Sequence, residues 1–154
     1  MRKFVIPKKG FPIVDDTVLD KPYSKKIGFV RYQWNGKHHR TVKGIGLITL
    51  LWTDGKKILP VDFRIYDFDQ DSKTKNDHCR DMLDKAKERG VKPKFVMFDT
   101  WYASLKTLKG IRGKQWHFLT RLKSNCLVNP DNTTNKPLET IDIPPEGIVA
   151  HLKK

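Results

Sequence analysis

The sequence predicts an α/β protein built on a mixed β-sheet with strand order 3-2-1-4-5. Three observations carry this. Strand-like apolar segments divided by turn dipeptides fill roughly the first 66 residues. After residue 75 the pattern changes to helix, strand, helix, strand. Two of the strands run into aspartates, in Pro12-Ile-Val-Asp-Asp-Thr17 and in Phe95-Val-Met-Phe-Asp99.

Residues 11 to 19 alternate and then run apolar, which suits a first strand ending at Asp16 or slightly beyond. Ile27 to Trp34 puts Val30, Tyr32 and Trp34 on one face and Arg31 and Gln33 on the other, the period of a half-buried strand. Asn35-Gly36 is a strong hairpin dipeptide, and the chain returns through Thr41 to Thr53, whose middle is apolar on both faces like a central strand. Asp54-Gly55 turns it again into Lys57 to Tyr66, where Pro60 breaks the ladder and argues for an edge. Asp67 to Lys75 is polar and reads as a loop. Asn76 is the expected N-cap of a helix with Cys79, Met82, Leu83 and Ala86 on one side, stopped by Gly90 and Pro93. Phe95 to Phe98 is a short strand, Ser104 to Arg112 a helix with Leu105, Leu108 and Ile111 inward, and Trp116 to Lys123 another strand. Beyond Ser124 the chain turns to Asn, Asp, Thr and Pro, so residues 1–124 read as a partial core and 125–154 as the beginning of a β-rich insertion.

Right-handed crossovers through the two helices make the two late strands parallel to the first, while the meander pairs antiparallel on its other side. The first strand then borders Phe95–Phe98 at roughly 5 Å. An aspartate from each reaches one rim, at the carboxyl ends of strands where α/β sheets bind ligands. Asp15 and Asp16 point to opposite faces, so only one of them joins Asp99, and strand geometry does not choose between them.

Lys plus Arg number 31 against 17 Asp plus Glu, a formal charge of +14 that favours DNA, RNA or an anionic membrane surface over an acidic small molecule. The longest apolar run, Ile45 to Trp52, is broken by Gly46 and Thr49, and no run of about 18 apolar residues exists to span a bilayer. Two cysteines, Cys79 and Cys126, and a start without an apolar signal core point to a reducing cytoplasm and free thiols. Strand-end carboxylates in a basic chain suit metal-dependent phosphodiester chemistry, in which two Mg²⁺ ions about 3.5 to 4 Å apart activate the attacking oxygen and neutralise the leaving one.

Lys37, His38, His39, Arg40 and Lys43 form a basic stripe beside the hairpin turn that fits DNA phosphates or a solvated turn equally well. Adjacent His38 and His39 face opposite ways on a strand, which argues against zinc. Trp101 and Tyr102 either stack on an unpaired base or fill the core. Asp67, Asp69 and Asp71 have a calcium-loop look, but no Glu stands at the twelfth position.

Four segments in order carry a resemblance: Ile13-Val-Asp-Asp-Thr-Val-Leu-Asp-Lys-Pro-Tyr23, Val30-Arg-Tyr-Gln-Trp34 with Gly36-Lys-His-His-Arg40, Phe98-Asp-Thr-Trp-Tyr102 and Phe118-Leu-Thr-Arg-Leu-Lys-Ser-Asn125. Over nearly its whole length the chain resembles the catalytic core of DDE-type insertion-sequence transposases, which have an RNase H-like fold with a β-rich insertion. The resemblance implies that Asp16, directly before Thr17, is the first catalytic aspartate and Asp99 the second, both ligands of Mg²⁺ or Mn²⁺, with Asp15 a neighbour. It also implies that Arg121 and Lys123, sharing one strand face, lie beside the DNA backbone. The partner it implies is DNA, as transposon ends and target, bound by homodimeric full-length relatives in a bacterial, nucleoid-associated setting without a membrane.

The family's third acid stands in a late helix with a Tyr, an Arg and a Lys, yet no Tyr follows Tyr102, and Glu139 and Glu146 lie among Pro and Asp residues. The catalytic Glu is therefore expected to be missing and the chain to be a truncated fragment, inactive alone. A non-catalytic basic nucleic-acid-binding module and an RNase H-type nuclease are the rival readings.

Overall fold

A computed structural model describes residues 9–36 and 38–152. Lys37 of the predicted basic stripe lies outside the described residues. The elements are β1 (Phe11–Asp20), β2 (Arg31–Asn35), β3 (Arg40–Thr53), β4 (Ile58–Tyr66), α1 (Phe68–Asp71), α2 (Lys75–Glu88), β5 (Phe95–Phe98), α3 (Leu105–Gly113), β6 (His117–Leu119), β7 (Leu127–Asn129), β8 (Lys136–Pro137) and β9 (His151–Leu152). One 3₁₀ turn, Thr100–Tyr102, follows β5, and another spans Leu138–Thr140.

The main sheet runs β2-β3-β1-β5-β6, and β4 also pairs with β3. β1 lies antiparallel to β3 and parallel to β5, and β5 lies parallel to β6. The expected 3-2-1-4-5 order is thus realised as β4-β3-β1-β5-β6. β2 is an addition on the outer edge of β3, beyond the end of β4: β3 pairs with β2 through Gly44 and takes up β4 from Gly46 onward. The ladder between β3 and β4 slips between Leu50 and Leu51, next to Pro60, as the missing N–H there requires.

The register sorts the side chains. Val14 pairs with Leu50 and Phe98, Asp16 with Ile48, and Pro12 with Trp52, which puts these residues on one face. There Val14, Ile48, Leu50, Trp52, Val96 and Phe98 are buried in one cluster with Cys79, Met82, Leu83 and Ala86 of α2 and Leu108 and Ile111 of α3. The opposite face carries Ile13, Leu47, Leu51 and Met97, which are half-buried, and Phe63, Ile65 and Leu119, which are exposed. Both long helices therefore cover the face of Asp16, and neither covers the face of Asp15.

Several boundaries differ from expectation for local reasons. α2 begins one turn-position earlier than Asn76 would set it, because Thr74 caps it: its hydroxyl accepts from the Asp77 N–H, and the Asp77 carboxylate accepts from the Thr74 N–H, a full capping box. Asn76 instead donates to the Trp101 carbonyl at 3.2 Å. The Asp67–Lys75 loop contains the short helix α1, and β2 begins at Arg31 rather than Ile27. The strand expected over Trp116–Lys123 ends at Leu119, so Arg121 and Lys123 stand on the following loop rather than on a strand face.

The faces of β2 are also inverted. Tyr32 and Trp34 are exposed, while Arg31 pairs with Asp67 at 3.0 Å and Gln33 donates to the Gly44 carbonyl at 3.1 Å. The polar residues have partners on the sheet side, and the aromatic ones face out.

Residues 127–152 hold a small three-stranded sheet, β8-β7-β9, with Val128 buried in it. No helix among the described residues is long and apolar enough to cross a membrane. Cys79 is a buried free thiol, pushed up to about 12 by burial and thus unreactive; Cys126 is also free.

The cap yields the first expected result. Thr74→Ala should cost about 1 kcal/mol, or about 2–4 °C in Tm for a domain of this size, read from a thermal melt. The Thr74 hydroxyl and backbone N–H, with help from Arg80, hold the Asp77 carboxyl down to about 2. A depressed carboxyl stabilises the fold above its ordinary value of 3.8 and loses that contribution as the pH falls toward about 2, so the Thr74→Ala penalty should shrink across that window.

Candidate active site

Three carboxylates meet where β1 and β5 end. Asp15, Asp16 and Asp99 line one cleft of about 530 Å³, whose walls also include Gln33, Trp34, Tyr66, Lys75 and Trp101. The parallel pairing of Ile13 with Met97 and Val14 with Phe98 explains the meeting. One step further along this register, Asp15 comes beside Asp99, on the face that no helix covers.

A second cleft on that face is lined by Ile13, Asp15, Met97, Asp99, Leu119 and Arg121, among others. Asp15 and Asp99 therefore border both clefts, while Asp16 borders only the first. Burial raises the Asp15 carboxyl above its ordinary range, and the neighbouring charges of Asp16 and Asp99 raise it further, against a hydrogen bond from the Asp16 N–H that lowers it. Asp99 uses one oxygen to cap the 3₁₀ turn, accepting from the Trp101 N–H at 2.9 Å. Its other oxygen accepts no hydrogen bond among the described residues.

Asp16 is differently placed. Its Oδ2 takes the Lys75 ammonium at 2.5 Å and its Oδ1 accepts the Tyr102 hydroxyl at 2.9 Å, so both oxygens are engaged. Lys75 and Asp16 side chains are only 18% and 20% exposed. The Lys75 nitrogen also lies 5.5 Å from the centroid of the Tyr66 ring. Tyr102 is fully buried, and burial together with the Asp16 charge holds its phenol far above the usual value, so it remains a donor.

Of the predicted DNA contacts, Arg121, Lys123, His38, His39 and Arg40 are exposed. Lys43 is committed inward, donating to the Ser24 carbonyl at 2.7 Å, and His38 lies 3.3 Å from Asp20. Of the aromatic pair after Asp99, Tyr102 belongs to the core and Trp101 is 60% exposed at the cleft. Trp34, 62% exposed on the same cleft, and Lys75 were missed in the sequence. The alternation in β2 marked Trp34 as facing inward, and Lys75 lies 59 positions from its partner Asp16, with no local motif to announce it.

Among the described residues no group of three or more His, Cys, Asp or Glu side chains is disposed to hold a metal ion. The two adjacent carboxylates of Asp15 and Asp99 offer hard oxygen donors of the type a divalent cation takes, as part of a ligand set. Neither Glu139 nor Glu146 lines either cleft.

The model of one protein family, described as DDE superfamily endonuclease, matches residues 1–140. The chain belongs to the DDE superfamily of endonucleases. Among solved structures, it is similar to a piggyBac transposase determined by cryo-EM as a synaptic complex with hairpin DNA, at 15% identity and a TM-score of 0.50. That similarity covers 75% of this chain but only 23% of the transposase, so the DDE chain spans less than a quarter of its neighbour's length. At this identity the likeness concerns the fold, and it places the mixed sheet among transposase catalytic domains. No curated protein matches the chain.

Proposed function

We propose that this DDE chain is the acid-bearing part of a transposase catalytic domain, which cleaves DNA at element ends and joins the freed end to target DNA. The observation that carries the reading is the registered approach of Asp15 to Asp99 on the uncovered sheet face, with Arg121 on the same cleft. In this reading Asp15 and Asp99 hold Mg²⁺ or Mn²⁺, in place of the pair Asp16 and Asp99 that the sequence resemblance implied. Two facts support the exchange: Asp16 has both oxygens engaged, and it points to the helix-covered side. When bound, the ion supplies charge neutralisation at the reacting phosphate and an activated oxygen.

The chain's own residues do the rest. Asp99 is held in place by the Trp101 N–H, and Thr120 donates its hydroxyl to the Asp99 carbonyl at 3.2 Å, which ties the loop bearing Arg121 to the acid. Arg121 can take a phosphate with two parallel hydrogen bonds, and Lys123, His39 and Arg40 add exposed positive or polar contacts along the backbone. A surplus of basic residues gives DNA affinity without sequence preference. The piggyBac neighbour, solved with hairpin DNA, is in keeping with DNA as the partner. A third carboxylate is the piece the family needs and this rim lacks among its described residues, and the open face beside Asp15 is where it fits. In the same reading residues 1–124 are the core and 125–154 open the β-rich insertion.

The test is duplex DNA binding by fluorescence anisotropy across a KCl series, with and without Mg²⁺. Affinity should fall linearly with salt on logarithmic axes, Arg121→Ala should reduce the slope by about 1, and Mg²⁺ should strengthen binding by wild type but not by Asp99→Asn. Supercoiled plasmid with Mg²⁺ should stay essentially uncut by these 154 residues. Binding that ignores both Mg²⁺ and Asp99→Asn would support the non-catalytic module instead.

A further inference from the structure

We propose that Lys75 is a resident cation of the acid rim, standing where a second metal ion would otherwise be needed, so that this site takes one divalent cation per chain. The inference rests on the reading of Asp15 and Asp99 as the ion-binding pair and goes beyond it, to the number of ions and the residue that sets it.

The charge count leads there. Asp15, Asp16 and Asp99 bring three negative charges to one cleft, and Lys75 is the cation ion-paired with one of them. One positive charge leaves two negative ones, which a single divalent ion balances. Arg121 borders the adjoining cleft, is exposed, and makes no ion pair with the three acids among the described residues.

The geometry points the same way. The ammonium is 2.5 Å from Asp16 Oδ2, and the Tyr102 hydroxyl closes Oδ1, which leaves a metal no oxygen of Asp16 while Lys75 stays. Lys75 is built into place. It is the first residue of α2, directly after the Thr74 capping box, and its nitrogen is flanked by the Tyr66 ring. Both members of the pair are about four-fifths shielded from water, so removing the cation would leave an anion in a poorly hydrated place, and an incoming ion would be drawn to it. An ammonium supplies charge and N–H donors but not Lewis acidity, so Lys75 neutralises and orients while the divalent ion alone activates oxygen. Lys75 is thus a positioning residue, acting through Asp16.

Counting bound Mn²⁺ by electron paramagnetic resonance of the free ion tests this without reference to cleavage. Wild type should bind one Mn²⁺ per chain, Lys75→Gln should bind two, and Lys75→Arg, which keeps the charge, should bind one. The double variant Lys75→Gln/Asp16→Asn should return to one. Two ions on wild type, or one ion with unchanged affinity on a folded Lys75→Gln, would overturn the role of Lys75. The wild-type count decides the matter even where Lys75→Gln does not fold. No ion on wild type at millimolar Mn²⁺ would instead sink the Asp15 and Asp99 reading beneath it.

Discussion

Leu50→Ala should destabilise the protein by about 3–4 kcal/mol, within the usual span for a buried leucine emptied to alanine. Leu50 has no exposure, lies in the middle of β3, and pairs with Val14 on one side and Asp62 on the other. It therefore sits under α2 at the junction of the two antiparallel ladders, where neighbours fixed by strand hydrogen bonds cannot close over the gap. Natural domains hold only about 5–15 kcal/mol in all, so the variant loses a large part of its reserve. Urea denaturation should show the midpoint falling with the slope unchanged. A loss under about 1 kcal/mol would mean that β3 is not the central strand.

The same strand explains how much of the fold was legible. Turn dipeptides and apolar periodicity are local, and Asn35-Gly36, Asp54-Gly55, Gly90 and Pro93 stand at or beside the ends of their elements. Right-handed crossovers then required β5 and β6 to lie parallel beyond β1, as they do. What periodicity could not supply was the identity of partners distant in sequence. The inward face of β2 is set by Arg31 reaching Asp67 across 36 positions, and alternation read alone chose the aromatic face instead. The length of β3 is another case: its 14 residues pair with β2 near one end and β4 over the other, and nothing in a local window shows one strand serving two neighbours.

Legibility of the site divides in the same manner. That acids from β1 and β5 share a rim followed from strand order, and Asp15, Asp16 and Asp99 do line one cleft. Which of two adjacent aspartates faces Asp99 depends on a register seen only in the pairing of Val14 with Phe98, and on Lys75 and Tyr102, which claim the other. A motif match weighs the residue before Thr17. The sheet weighs which side of the pleat it occupies.

The second large effect concerns that choice, and Mn²⁺ titration by calorimetry on three variants measures it directly. Asp15→Asn and Asp99→Asn should each weaken Mn²⁺ binding by at least about 100-fold, since even the outer-sphere partners of a metal ligand cost 10–100-fold when lost. Asp16→Asn should leave the affinity within a few-fold of wild type, because Asp16 spends its oxygens on Lys75 and Tyr102. The opposite pattern, with Asp16→Asn abolishing binding and Asp15→Asn leaving it intact, would contradict the placement of the ion on the uncovered face.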